Sequence, residues 1–103
     1  MNEEDEKEFY HVLGVLSEEC SEIIQIISKI NRFGLNSSNP ISGISNIESL
    51  NNEYNDFLGT LELLKYIDLN KYSECFNEDL KKVGMKFSKV RTMMEISRQC
   101  NRL

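Results

Sequence analysis

The sequence predicts an all-α fold, a bundle of three to four helices completed by association with further copies of the chain. Three observations lead there. Apolar residues recur at three- and four-residue steps along most of the sequence, the period of a helix with one buried face. No stretch alternates polar and apolar side chains as a half-buried strand does. With one proline and five glycines among 103 residues, little interrupts a long helix.

A first helix is expected from Glu3 to Asn31. Phe9, Val12, Leu13, Leu16, Cys20, Ile23, Ile24, Ile27 and Ile30 form its apolar stripe. Its length makes Gly14 a candidate kink, and Gly34 a natural stop. Lys29 and Arg32 stand where cations suit a helix end. The segment from Leu35 to Asn46 is dense in Ser, Asn and Gly, holds the one proline, and reads as a loop.

The second helix starts where Ser45 and Glu48 match a capping box. Its inner positions are Ile47, Leu50, Tyr54, Phe57, Leu58, Leu61, Leu64 and Ile67, and a polar break from Asp68 to Lys71 ends it. A third helical region is expected from Tyr72 to Cys100, with Phe76, Leu80, Val83, Phe87, Val90, Met94 and Ile96 inward; Gly84 marks a bend or a close helix contact. Three such helices leave an apolar seam uncovered, so a second copy of the chain is expected to complete the bundle.

The length fits one domain, residues 1–103. A net charge of −5 argues against a nucleic-acid polymer as partner, because counterion release needs a dense cationic face. An acidic chain that handles a smaller polyanion does so through a divalent ion or a few local cations. Cys20, Cys75 and Cys100 lie far apart without metal-type spacing and are expected as reduced thiols. The acidic N-terminal segment lacks the pattern of a signal peptide, and no apolar run is long enough for a bilayer, so a cytoplasmic location away from membranes is expected.

The chemistry concentrates in two acidic pairs. In EECSEIIQIISKINRFG, Glu19 and Glu22 are spaced by three, as are Glu53 and Asp56 in EYND. Residues so spaced are neighbours on one helix ridge. With Phe9 and Ile27 at the centre of the first stripe, Glu19 falls about 80° and Glu22 about 140° to one side at 100° per residue. Glu53 borders the Leu50, Phe57 and Leu61 face. If the two helices pair antiparallel, four carboxylates converge and repel unless a cation lies between them. All-oxygen ligands suit Mg²⁺, or Mn²⁺, better than zinc. Either pair alone reads as ordinary solvated surface, and Glu18 points further from the seam.

The same residues carry a family likeness. The Glu-x-x-Glu motif, a spacer, then Glu-x-x-Asp, with the SKxxRFG form at Ser28 to Gly34 and MKFSKV at Met85 to Val90, resembles the all-α nucleoside triphosphate pyrophosphohydrolases, the MazG-like superfamily. The likeness spans Leu16 to Val90. It implies a Mg²⁺-dependent helical enzyme, a homodimer or homotetramer, that hydrolyses a (d)NTP or a related nucleotide to the monophosphate and pyrophosphate. By position, Glu19, Glu22, Glu53 and Asp56 would be the catalytic metal ligands, and Lys29, Arg32, Lys86 and Lys89 would meet substrate phosphates. The family often has glycine within the second acidic pair, where this chain has Tyr54 and Asn55, and the spacer is long.

Phe9, Tyr10 and His11 could meet a base, but the better reading places Phe9 on the core stripe and Tyr10 and His11 on the exposed surface or at an interface. Two other readings stand beside the enzyme: a non-catalytic nucleotide-binding sensor, sponge or regulatory dimer, and a purely structural helical interaction protein whose acids are coincidental.

Overall fold

The structure, a computed structural model, describes residues 1–103. It is all-helical, with α1 at Glu3–Phe33, α2 at Asn46–Ile67, α3 at Leu69–Cys75 and α4 at Leu80–Gln99. The only extended pairing is an isolated bridge between Ser38 and Ser45 at the neck of the α1–α2 loop.

Each helix begins on a side chain that accepts from an otherwise orphaned backbone amide. Asn2 accepts from Asp5 N at 2.7 Å, and Ser45 from Glu48 N at 3.2 Å. Asp68 accepts from Lys71 N at 2.9 Å, and Asp79 from Lys82 N at 3.1 Å. The cap expected at Ser45 is therefore present. α1 ends at Gly34, whose φ of 93° favours a residue without a Cβ, and whose amide donates to Ile30 O at 2.7 Å. Gly14 does not break α1, which continues through it for 31 residues.

α1 and α2 form an antiparallel hairpin. Phe9, Val12 and Leu16 of α1 bury against Leu64 of α2, with Leu13, Phe57, Leu61, Ile67 and Tyr72 packed round them. Further along, Ile23 lies beside Leu50 and Tyr54, so positions rising in α1 meet positions falling in α2. The tight core thus sits at the end where α1 starts and α2 finishes. Asp68 is shared as the last cap of α2 and the first of α3. From there α3 folds back just far enough for Tyr72 to reach the core, its ring 5.3 Å from that of Phe76.

The apolar stripe of α1 divides into two faces. Ile23, Ile26 and Ile30 are half-buried on the α2 side. Cys20, Ile24 and Ile27 are exposed, Ile24 at 64%. The packing seam is therefore turned toward the acidic ridge relative to the Phe9–Ile27 line, because the sequence stripe joins the α2-facing residues with a second face that α2 leaves bare.

The region from Tyr72 to Cys100, expected as one helix, is two. Residues 76–79 break it, and Asp79 caps a fresh start. α4 packs against no other helix of the chain. Its expected inner face, Leu80, Val83, Phe87, Val90 and Met94, is accordingly exposed, and Gly84 meets no neighbour. The Cα trace of one copy spans 53 × 42 × 15 Å. With α4 unpacked, the bundle is not closed within one chain.

Candidate metal centre

The hairpin brings one carboxylate oxygen from each of Glu19, Glu22 and Glu53 within 4.8 Å of one another. The register explains it: Glu19 follows the core residue Leu16 by three on α1, and Glu53 precedes Phe57 by four on α2. Each acid is thus the next ridge position beyond a packed apolar side chain. Glu19 and Glu53 are half-buried, and the Oε2 atom of each is buried without a hydrogen-bond partner. Glu22 reaches the group from the exposed side.

Buried carboxylate oxygens without donors are costly. The cluster shows that cost as a proton held too tightly. The Glu53 carboxyl is pushed up to about 7, first by the adjacent Glu22 carboxylate with which it can share a proton. Loss of water comes next, then Glu19, and then the charges of Glu22 and Asp56. None of the chain's ion pairs involves these acids, so no lysine or arginine supplies the missing positive charge. Two orphaned buried oxygens and a third acid within ligand reach fit a hard divalent cation, for which carboxylate oxygen is the preferred donor.

Asp56 is not one of the converging acids. It lies one turn beyond Glu53, about 60° further from the seam at 100° per residue, and is exposed. Its charge still reaches Glu53. The four expected ligands are therefore three converging glutamates and one peripheral aspartate. Glu18 is exposed on the far side of α1.

The four expected phosphate-binding cations fall into two groups. Lys29 and Arg32 line a cavity of about 390 Å³ where α1 ends, the loop turns and α2 begins. The Arg32 guanidinium rests over the Phe33 ring, 5.0 Å from its centroid. Lys86 and Lys89 lie on α4, which touches no other helix, so one chain does not bring them to the glutamates. Among the base-recognition candidates, Phe9 is 4% exposed in the core and unavailable for stacking. Tyr10 is exposed, and His11 borders a shallow groove with Leu63 and Tyr66 near the start of α1.

The loop cavity, whose walls include Ser37, Ser38 and Ser49, is not among the features expected from the sequence. One signal was available. Ser49 precedes Glu53 by four on α2, and Lys29 follows Glu22 by seven on α1, so both continue the ridges that carry the acids.

No family model, no curated protein and no solved structure matches the chain.

Proposed function

We propose that the protein is a Mg²⁺-dependent nucleotide pyrophosphohydrolase, a hydrolase that cleaves a (d)NTP or related nucleotide to the monophosphate and pyrophosphate. The observation that carries this reading is the pair of buried, donor-less oxygens on Glu19 and Glu53 with Glu22 beside them. Such a group is unfavourable without a cation, and in a chain of net charge −5 a cation there would offset the repulsion of a polyphosphate. The motif spacing that resembles the MazG-like superfamily supports the same reading.

Glu19, Glu22 and Glu53 hold the ion, Mg²⁺ or alternatively Mn²⁺, and Asp56 flanks them as a fourth, outer acid. A divalent ion there supplies charge neutralisation of the polyphosphate and polarisation of a phosphorus. The residues of the chain do the positioning. The half-buried seam beneath Glu19 and Glu53 keeps their carboxylates oriented, and Lys29 and Arg32 offer cationic donors to phosphate oxygens beyond the acids.

The assembly belongs to the same proposal. Only four side chains of 103 residues are buried, while Leu80, Val83, Phe87, Val90 and Met94 line one exposed face of α4. That is too much contiguous apolar surface for a stable single copy. A homodimer or homotetramer covers it and is the route by which Lys86 and Lys89 of one copy come near phosphates in another. A nucleotide as substrate, a cytoplasmic location and the absence of a membrane or nucleic-acid-polymer partner complete the reading; no helix is long and apolar enough to cross a membrane.

The peripheral position of Asp56 favours one second reading, a nucleotide-binding sensor or regulatory dimer that keeps affinity without turnover. The experiment that separates the two is pyrophosphate release from a panel of NTPs and dNTPs with and without Mg²⁺. Turnover that requires Mg²⁺ and is lost in Glu53→Gln supports the enzyme. Nucleotide binding without any product supports the sensor, and a Glu53→Gln protein as active as the parent refutes the assigned site.

A further inference from the structure

The hairpin has two unlike faces, and the metal site accounts for only one of them. Between Tyr10 and Asn31, the charged residues of α1 are Glu18, Glu19, Glu22 and Lys29. Measured from Leu16, which points into the seam, all of them lie about 60–160° to one side at 100° per residue. Leu13, Cys20, Ile24 and Ile27 lie about 20–80° to the other side. α2 repeats the division between Ile47 and Leu61. Measured from Leu64, its charged residues Glu48, Glu53 and Asp56 turn one way. Ile47, Leu50, Tyr54 and Leu58 turn the other way, by about 40–120°.

In an antiparallel helix pair, turns of the same sense from the seam lead to the same face of the hairpin. The acids therefore converge at the front, and the apolar residues share the back. A groove of about 410 Å³ in this back face is lined by Ile23, Leu35, Ile47, Leu50, Asn51 and Tyr54, with no charged side chain. Beside it Ile24 stands proud at 64% exposed, and Ile27, Ile47 and Tyr54 are exposed as well. Cys20 is exposed on the same side.

Charge and shape together decide what fits this face. A contiguous apolar patch spanning two helices is unfavourable in water. The chain's other bare apolar surface, on α4, does not suit it. Arg91 follows Phe87 by four residues on that stripe and lies over its ring, 5.9 Å from the centroid. α4 laid on the back face would bury this guanidinium where there is no carboxylate to meet it. A second back face brings no charge to strand. It also carries a knob, Ile24, and a hole, the groove, on one surface, and contact between like faces of two copies needs both.

We propose that two copies of the chain pack back to back through Cys20, Ile24, Ile27, Ile47 and Tyr54, making a four-helix bundle out of two hairpins. This contact is separate from the exposed face of α4. It sets the two acid clusters on opposite outer faces, so each is assembled within one chain and stays open to solvent. The contact closes over Cys20, while Cys75 at the end of α3 and Cys100 just after α4 lie outside it.

Sedimentation velocity of the parent chain, together with the rates at which an aromatic disulfide reagent modifies its thiols, tests the contact. Neither metal nor nucleotide enters, so the result is independent of the pyrophosphohydrolase reading. The parent is expected to associate, with Cys75 and Cys100 reacting fast and Cys20 about tenfold or more slowly, because modification needs access. Cys20→Ser is expected to remove the slow phase. Ile24→Glu places a charge in the contact and is expected to shift the chain toward the monomer, with Cys20 as fast as the other thiols. Ile24 is exposed in a single copy, so the hairpin core is left intact, and circular dichroism establishes that the variant stays helical. Glu18→Gln, a change outside the contact, is expected to alter neither measurement. A monomeric parent, equally fast thiols, a slow phase that survives Cys20→Ser, or an Ile24→Glu chain that associates and shields Cys20 like the parent overturns the back-to-back contact.

Discussion

Glu19 on α1 and Glu53 on α2 each turn one carboxylate oxygen into the seam between the helices, where it is buried and has no hydrogen-bond donor. Two like charges held this way oppose folding. The same arrangement suits a divalent ion, and an ion bound there would link stability to metal through one pair of residues.

The first expectation concerns pH. The Glu53 carboxyl sits near 7 in the folded chain against an ordinary value of 4.5. The folded state therefore holds a proton that the unfolded chain releases, and stability falls as pH rises from about 4.5 to about 7. Metal-free protein is expected to melt at a lower temperature at pH 8 than at pH 6, and Glu53→Gln to reduce that difference. A melting temperature that is flat across this range, or that rises, would count against a strained cluster.

Mg²⁺ is expected to reverse the loss. At pH 8, an ion present at a hundred times its Kd stabilises by about 2.7 kcal/mol. For a domain of this size, each kcal/mol is roughly 4–8 °C in Tm. Differential scanning fluorimetry with Mg²⁺, Mn²⁺ and a chelator measures it. Glu53→Gln and Glu19→Gln should abolish most of the shift, and an unchanged Tm in parent protein would sink the metal site.

The two acids of α2 are expected to differ. Glu53→Gln removes a converging oxygen and should lower Mg²⁺-dependent turnover by about a hundredfold or more. Asp56→Asn acts from outside the cluster and should cost roughly tenfold, the scale of groups that tune a metal site from its periphery. Steady-state rates across a Mg²⁺ titration read both. Equal losses would mean that Asp56 swings inward to become a full ligand.

Packing gives a fourth expectation. Leu64 is fully buried against Phe9, Val12 and Leu16, so Leu64→Ala should destabilise by about 2–5 kcal/mol. Tyr66, two residues away and 88% exposed, should tolerate alanine within about 0.5 kcal/mol. Urea denaturation of both variants checks the contrast, and similar costs would misplace the core.

The fifth concerns association. Phe87 and Val90 lie on the uncovered apolar face of α4. Replacing both with glutamate should shift the parent from dimer or tetramer toward monomer in sedimentation velocity, because charge on an interface core is poorly tolerated. A parent that sediments as a monomer would contradict the assembly.

Several of these features are legible in the amino-acid sequence. The period of apolar residues gave α1 and α2 to within about two residues, the Ser45 cap marked the start of α2, and Gly34 marked the end of α1. These are local features, decided by backbone sterics and by donors within one turn. The acidic pairs were visible too, since spacing by three places two side chains on one ridge whatever the rest of the fold does.

Tertiary structure decided which acids meet. Glu53 and Asp56 look equivalent as a spaced pair, yet only Glu53 faces α1, because the Leu64 and Phe57 contacts fix the rotation of α2 about its axis. It also decided that the α1 stripe is two faces, that residues 76–79 divide the last helix, and that the bend encloses a cationic cavity. Periodicity reports that a face is apolar but not what covers it. That depends on how rods separated in sequence rotate and pack, which no local pattern encodes.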